Sequence, residues 1–254
     1  MELLELTSPQ VNRLPRHTPI IFPVAALEQH GPHMPLFTDS ILLQGVLDLV
    51  KQKPIAEQVL FAPLQWLGNS EHHLDHPGTM SASPRVYLDL LRDQAENFLC
   101  HGFTRLVFIN GHGGNIVPMQ QATFELRQKY RQQKNLLLLT TTYWTTGGSP
   151  TVEMPELYQQ EMGHACEWET SMMLHLRPNL VQGNWQELPE VPFGQGFTPA
   201  HRAWVMPDRS APGYIGHPAK AAPTKGAELA QFFAGGVVNL LEKICHWNGE
   251  GWDA

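Results

Sequence analysis

The chain has 254 residues, 42% of them hydrophobic and 16% charged, with a formal net charge of -7. That length and composition support a sizeable core without covalent staples, and the acidic balance, with no lysine- or arginine-rich run, excludes a phosphate-backbone partner such as nucleic acid. The cysteines, Cys100, Cys166 and Cys245, are far apart and form no CxxC pair or disulfide framework, which fits a reducing cytoplasm.

The opening "MELLELTSPQ" carries acids and no basic n-region, so no signal peptide is expected. No apolar run reaches the ~18 residues of a spanning helix. "TPIIFPVAAL" (18–27) reads as a buried strand, and "TDSILLQGVLDLVKQK" (38–53) as a helix that Thr38 or Asp39 could cap. "QVLFAPLQWL" (58–67) is a second strand, followed by the polar loop "NSEHHLDHPGTMS" (69–81). "SPRVYLDLLRDQAENFLCHG" (83–102) has Ser and Pro to open a helix and Gly102 to close it. "RLVFIN" (105–110) is a third strand, "GHGGN" (111–115) a glycine loop, "IVPMQQATFELRQKY" a helix and "NLLLLTTTYW" (135–144) a fourth strand. A further helix starts near Cys166 and stops at Pro178, the stretch 179–218 suggests short strands and loops, and a terminal helix covers 221–247. No repeat or linker divides 1–254, so one domain is expected. Alternating apolar strands and helices imply a mostly parallel sheet with helices on both faces. Ligands bind such sheets at the strand carboxyl ends, where the polar stretches 28–39, 69–81 and 110–115 should converge.

Three of the stretches concentrate chemistry. "ALEQHGPHMPLFTDS" (26–40) holds Glu28, His30, His33 and Asp39. Glu28 and His30 share a face if the segment is extended, although Asp39 could instead cap a helix and His30 could be a hydrogen-bonded loop histidine. "NGHGGN" sets His112 among Gly111, Gly113 and Gly114, glycines that permit tight turns and close backbone approach; its amides could also stabilise an oxyanion. "HACEWETS" brings His164, Glu167 and Glu169 within six residues. His164 and Glu167 share a face in a helix and Glu167 and Glu169 do so in a strand, while acids in a first helical turn also answer the helix dipole. Glu, His and Asp are ligands for zinc, manganese or iron, and two such ions can share a hydroxide and polarise a substrate oxygen.

Together, "PVAALEQHGPHMPLFTD", "EHHLDHPGT", "NGHGGN", "HACEWETSMML" and "GYIGHPAKAAPTKGAEL", spanning 23 to about 229, resemble the creatininase family of metal-dependent amidohydrolases. The resemblance implies a three-layer α/β/α sandwich with a mostly parallel central sheet, two divalent metal ions per subunit and a cytoplasmic homohexamer. It puts Glu28, His30, Asp39 and His112 on metal-ligand positions, with Asp39 bridging, and His164 on an acid or base position. Two departures stand out. Gly114 occupies the place where creatininase has a ligating glutamate, so a fifth ligand must come from Glu169 or, second, Glu167, which is otherwise a candidate catalytic group. Gln160 replaces a tryptophan that covers the creatinine ring, while Trp144 matches the other tryptophan. Trp144, Gln160, Gly113 and Gly114 are the candidate substrate contacts. The same resemblance makes "EHHLDH" a loop beside the site, with His72 or His76 a further candidate substrate contact. The implied activity is hydrolysis of an amide or cyclic amide in a small-molecule substrate, with a formamidopyrimidine-type deformylase or a cofactor-maturation peptidase as alternatives. The rivals from other classes are a metal-binding protein without turnover and a phosphate binder, which the missing P-loop lysine disfavours.

Overall fold

In a computed structural model that describes residues 1–194 and 196–252, four parallel strands form one sheet in the order β2-β1-β3-β4. They are β1 (Ile20–Val24), β2 (Leu60–Phe61), β3 (Arg105–Asn110) and β4 (Leu137–Thr142). Every residue of β1 and β3 is buried, as expected of central strands covered on both faces. The period-two alternation of a strand sends Ile21, Val107 and Ile109 to one face. Ile20, Phe22, Val24, Leu106 and Phe108 go to the other.

Among the described residues seven α-helices accompany the sheet: α1 (Ser8–Asn12), α2 (Thr38–Lys51), α3 (Pro84–Cys100), α4 (Ile116–Lys129), α5 (Glu167–Leu176), α6 (Met206–Arg209) and α7 (Pro223–His246). α2, α5 and α7 pack on one another and fill the first face. α3 and α4 pair over the second. The result is a three-layer α/β/α sandwich. The helices dock through narrow apolar stripes, such as Leu42, Leu43, Val46, Leu47 and Val50 on α2 and Tyr87, Leu88, Leu91 and Ala95 on α3. Pro84 opens α3, and Gly102, at φ +86°, follows its end.

Some expectations change. The strand expected at 58–67 shrinks to Leu60–Phe61, because Pro63 has no N–H to donate. The chain still runs beside β1, with Ala62 N–H donating to Ile21 O at 2.8 Å and Gln65 N–H to Pro23 O at 2.9 Å. Neither Thr38 nor Asp39 caps α2: Phe37 holds the N-cap position and Thr38 Oγ1 donates to Pro35 O. The strands expected in 179–218 are isolated bridges, Val191 with Gly216 and His164 with Ile215, among tight turns and the short α6.

The α5–α7 contact matters because α5 carries Glu169. At Gly226, in the first turn of α7, a β-carbon would fall 1.9 Å from the Ser171 carbonyl oxygen. Gly226→Ala must therefore push two helices apart. The expected loss is about 2 kcal/mol, within the usual range for overpacking, which lowers the melting temperature by roughly 4–8 °C. Gly235→Ala in the same helix meets no atom within 4 Å and should be neutral or stabilising, since alanine is favoured in a helix by ~1 kcal/mol. Thermal unfolding of the two variants checks this, and equal losses would contradict the packing described.

Candidate metal centre

The strand order reverses between β1 and β3, because β2 lies outside the former and β4 outside the latter. Crevices at such reversals are the usual ligand sites of open parallel sheets. The two strands end level, Val24 opposite Asn110, and Gly111 N–H donates to Val24 O at 2.8 Å. The chain after β1 delivers Glu28 and His30, and the first turn of α2 delivers Asp39. The chain after β3 delivers His112. α5 brings Glu169, and the bridge to Ile215 brings His164. All six are at the floor of one cavity or directly beneath it.

The histidines are held in defined tautomers by their outer nitrogens. His30 Nδ1 lies 3.1 Å from the Glu28 carbonyl oxygen, which can only accept. Nδ1 therefore carries a hydrogen, and Nε2, the nitrogen left for a second proton or a cation, faces Asp39 Oδ1 at 3.0 Å and Glu169 Oε1 at 4.0 Å. His112 Nε2 donates to the Asn69 carbonyl at 2.9 Å, which leaves Nδ1 facing Asp39 Oδ2 at 3.0 Å and Glu28 Oε1 at 3.3 Å. His164 Nε2 donates to the Gln29 carbonyl at 2.9 Å, and its Nδ1 faces Glu28 Oε1 at 3.6 Å. A ring nitrogen fixed by a carbonyl behind it, with the other aimed at carboxylates, is the arrangement of histidines in metal sites. Asp39 touches His30 with one oxygen and His112 with the other, so it stands between two half-sites.

The asparagines of "NGHGGN" build the loop that presents His112. Asn110 Oδ1 accepts from His112 N–H at 3.0 Å, and Asn110 Nδ2 donates to His112 O at 2.6 Å. Asn115 accepts from Asn69 N–H and donates to Ala25 O and Asn110 Oδ1, tying the ends of β1 and β3 to the 69–81 loop. At Gly114 a β-carbon would lie 2.2 Å from Asn69 O and 2.5 Å from His112 Nε2. The hydrogen bond that orients His112 occupies that space, so no glutamate fits there. Gly113 is open, with no atom within 4 Å of its missing β-carbon.

The electrostatics point to cations. Glu28, Asp39 and Glu169 are all buried, and buried carboxylates need compensating charge. Burial pushes the Glu169 carboxyl up to about 7, with the Asp39 charge adding to the rise and His30 opposing it. Burial opposes charge on His30 too, but Asp39 overrides it and lifts the imidazole to about 9. His112 is likewise raised, against burial, by Glu28 and Asp39. Glu28 is held low, despite burial, by His112 and His73. One oxygen each of Glu28 and Glu169 is buried without a hydrogen-bond partner, so protons on the histidines alone leave the cluster unsatisfied. Three sets of ligand atoms, Glu28 with His72 and His112, Glu28 with His30 and His164, and His30 with Asp39 and Glu169, each converge within 4.8 Å. This donor set of imidazole nitrogen and carboxylate oxygen fits divalent ions of the zinc and manganese type.

Other candidates fall elsewhere. Glu167 stands outside the cluster: its carboxylate accepts from Tyr158 N–H, Gln159 N–H and Lys225 Nζ. Those bonds use its lone pairs to brace the 158–159 loop against α7, which corrects its assignment as a catalytic group or ligand. Gln160 lines a neighbouring cavity with Trp168, whereas Trp144 and Met162 border both. His33 is turned away onto Thr170 Oγ1 at 2.8 Å, and His76 does not line the main cavity. His73 was missed. Gln29 Oε1 accepts from Gly31 N–H, so its Nε2 donates to His73 Nδ1 at 2.7 Å, and His73 Nε2–H meets Glu28 Oε1 at 3.3 Å. The signal was the His-His pair in "EHHLDH", whose first member, His72, also lines the cavity.

The sequence model of the creatininase family, described as creatinine amidohydrolase, matches residues 4–241. The chain is 30% identical to the mycofactocin precursor peptide peptidase of Mycobacterium tuberculosis, covering 96% of this chain and 91% of the peptidase. A mutant creatininase complexed with creatine superposes with a TM-score of 0.78 at 26% identity, covering 97% of this chain and 99% of that one. Two further creatininase structures, one described as a Zn–Zn type and one as an Mn form, superpose with a TM-score of 0.76 each at 26% and 27% identity, and both cover 95% of this chain and 97% of their own.

His30, with its folded-state pKa raised to about 9, keeps its proton at neutral pH in the metal-free protein. A cation must expel it, so apparent metal affinity should rise as pH increases toward 9. With His112 and part of Glu169 also protonated, zinc uptake at pH 7.5 in weak buffer should release roughly two protons per subunit. Calorimetry in buffers of different ionisation enthalpy measures this, and uptake without proton release would contradict the electrostatic account.

Proposed function

The chain belongs to the creatininase family of amide-bond hydrolases, and on that premise we propose that it hydrolyses a peptide-like amide at a two-cation centre. The observation that carries this reading is the buried Glu28–Asp39–Glu169 cluster with its oriented histidines. On one side Glu28 and His112 would hold a cation, on the other His30 and Glu169, with Asp39 shared between them. Such ions supply Lewis acidity to the attacking water and to the amide carbonyl. Burial and the neighbouring His30 and His73 rings keep His164 neutral at physiological pH, so its Nδ1 can take the proton of the water. The water oxygen bonds to the carbonyl carbon, the C–N bond breaks, and His164 returns the proton to the leaving nitrogen. Gly113 leaves the floor open for the substrate backbone.

The cavity above the cluster holds about 690 Å³, room for a ligand well beyond a small ring. Trp144, Phe193 and Trp204 give it aromatic walls. Gln160 faces the adjoining cavity, so the aromatic cover expected for creatinine is lacking at that position. No helix among the described residues is long and apolar enough to cross a membrane. A cytoplasmic homohexamer with zinc as the resident metal completes the proposal.

Asp39→Asn keeps the shape but removes the shared charge. It should lose at least one of the two cations, read by elemental analysis, and lower kcat/KM by a factor of ~10³ or more, several kcal/mol of lost transition-state stabilisation. Full metal content in that variant would count against the shared role. With zinc or manganese added, wild-type protein should release creatine from creatinine with kcat/KM well below ~10⁴ M⁻¹s⁻¹, the low end for ordinary enzymes. Turnover above that value would falsify the reading of the Gln160 position.

A further inference from the structure

His33 is the imidazole of the "EQHGPH" stretch that the hydrolytic chemistry leaves unused. It is buried, it follows His30 by three residues, and its Nε2 lies 2.8 Å from Thr170 Oγ1 on α5. Among the described residues this is the one hydrogen bond between the 26–40 stretch and α5. The His33 carbonyl also accepts from Gln182 N–H at 2.8 Å, so the residue grips the chain at the first turn of α5 and again beyond the end of that helix. Burial, with the charge of His30 adding to it, pushes the His33 imidazole down to about 4. It is therefore neutral at pH 7.5, unlike His30, and takes no part in balancing the carboxylates. Its Nδ1 is buried without a hydrogen-bond partner, a cost that one neutral hydrogen bond scarcely returns. For stability alone an apolar ring would serve better at this place, so the bond to Thr170 is explained by the direction it imposes.

The turn between the two histidines is stiff. Gly31 takes the left-handed conformation at φ +61°, which glycine adopts without strain. Its N–H is shared between Gln29 Oε1 at 2.9 Å and Gly213 O at 3.1 Å, and His30 forms a bridge with Met34. A shift of His33 therefore carries His30 with it. On the other side, Glu169 and Thr170 are successive residues of one helix, with the fixed spacing of a helix. Two histidines of one turn thus meet two neighbouring residues of α5: His33 meets Thr170 at 2.8 Å, and His30 Nε2 faces Glu169 Oε1 at 4.0 Å. The second separation belongs to the His30, Asp39 and Glu169 set that would hold a cation, and the first contact governs it from outside. The Glu28–His112 side hangs instead on Asn69 and Asn110, which orient His112.

We propose that His33, through its hydrogen bond to Thr170, is a positioning residue that fixes the spacing of His30 and Glu169 and so the affinity of the cation on that side of the centre. The proposal rests on the two-cation reading, and it adds what holds one half-site to its span. His33 touches neither substrate nor ion. It acts through the turn that carries His30 and the helix that carries Glu169. Ligand distances in metal sites are held to about ±0.2 Å, so a small slip of α5 against the turn is enough to weaken that ion.

The test uses Thr170→Val, which keeps the shape and removes the hydroxyl, with Thr170→Ser as the rescue and His33→Phe as the change on the other partner. Zinc binding is measured at pH 7.5 by competition with a chelator, and anomalous scattering locates the ions. Wild type should take two zinc ions. In Thr170→Val and in His33→Phe one binding step should weaken at least tenfold, with the ion lost from the His30–Glu169 side, while the other changes less than twofold. Thr170→Ser should bind within twofold of wild type at both steps. Equal weakening of both ions would overturn the proposal, because the bond would then serve only the fold, and so would unchanged affinity for both. A readout that needs no metal is the His30 Nε2–Glu169 Oε1 separation in metal-free crystals. It should exceed the present 4.0 Å in Thr170→Val and return to it in Thr170→Ser; a separation that stays the same in Thr170→Val would also overturn the proposal. A wild type that takes a single zinc ion would sink the two-cation reading, and the metal-free separation would still decide the role of His33.

Discussion

The burial of three carboxylates in one place is the constraint on which the site depends. Glu28, Asp39 and Glu169 sit within the reach of a pair of ions, and one oxygen each of Glu28 and Glu169 finds no donor. Burial raises the proton affinity of a carboxyl and a neighbouring like charge adds to it, and Glu169, beside Asp39, is lifted to about 7. His30 and His112 answer part of the charge by taking protons. Divalent ions answer it more fully, because they also satisfy the orphaned lone pairs. The metal-free cluster is thus a site that competes with protons for its ligands.

Much of the surrounding chain serves to hold these groups against their repulsion. The end of β1 and the end of β3 are tied by Asn110 and Asn115, and the same asparagines lock the loop that aims His112. Gln29 spans between His73, Gly31 and His164, so one residue between two ligand positions sets the orientation of two histidines. Glu167 anchors the start of α5 to the 158–159 loop and to Lys225, and the close approach at Gly226 fixes α5 against α7. These contacts are remote from any substrate, yet they determine where Glu169 and His164 stand.

The layered fold was legible because buried parallel strands must be apolar throughout and the helices between them must carry one apolar stripe. β3 and α4 fall where "RLVFIN" and the segment after "GHGGN" indicated. The ligand-type residues were legible because Glu, His and Asp rarely cluster at the end of an apolar strand without a chemical reason. What was not legible depended on direction. Glu167 and Glu169 are two apart at the start of one helix, and nothing local says which faces the cavity; Lys225, 58 positions away from Glu167, settles it. His73 and His72 are adjacent in a loop, and their part in the site follows from a tertiary contact through Gln29 and Glu28. Trp204 lies in a stretch without periodicity, so its place in the cavity wall required the fold.

The most direct test is a crystal structure of the zinc-loaded protein with anomalous data to locate the ions. The account predicts two cations ~3.5–4 Å apart, with Asp39 touching both and a Glu169 carboxylate oxygen at roughly 2.0–2.2 Å from one of them. A single cation, or a Glu169 side chain turned away from both while another residue completes the site, would contradict it.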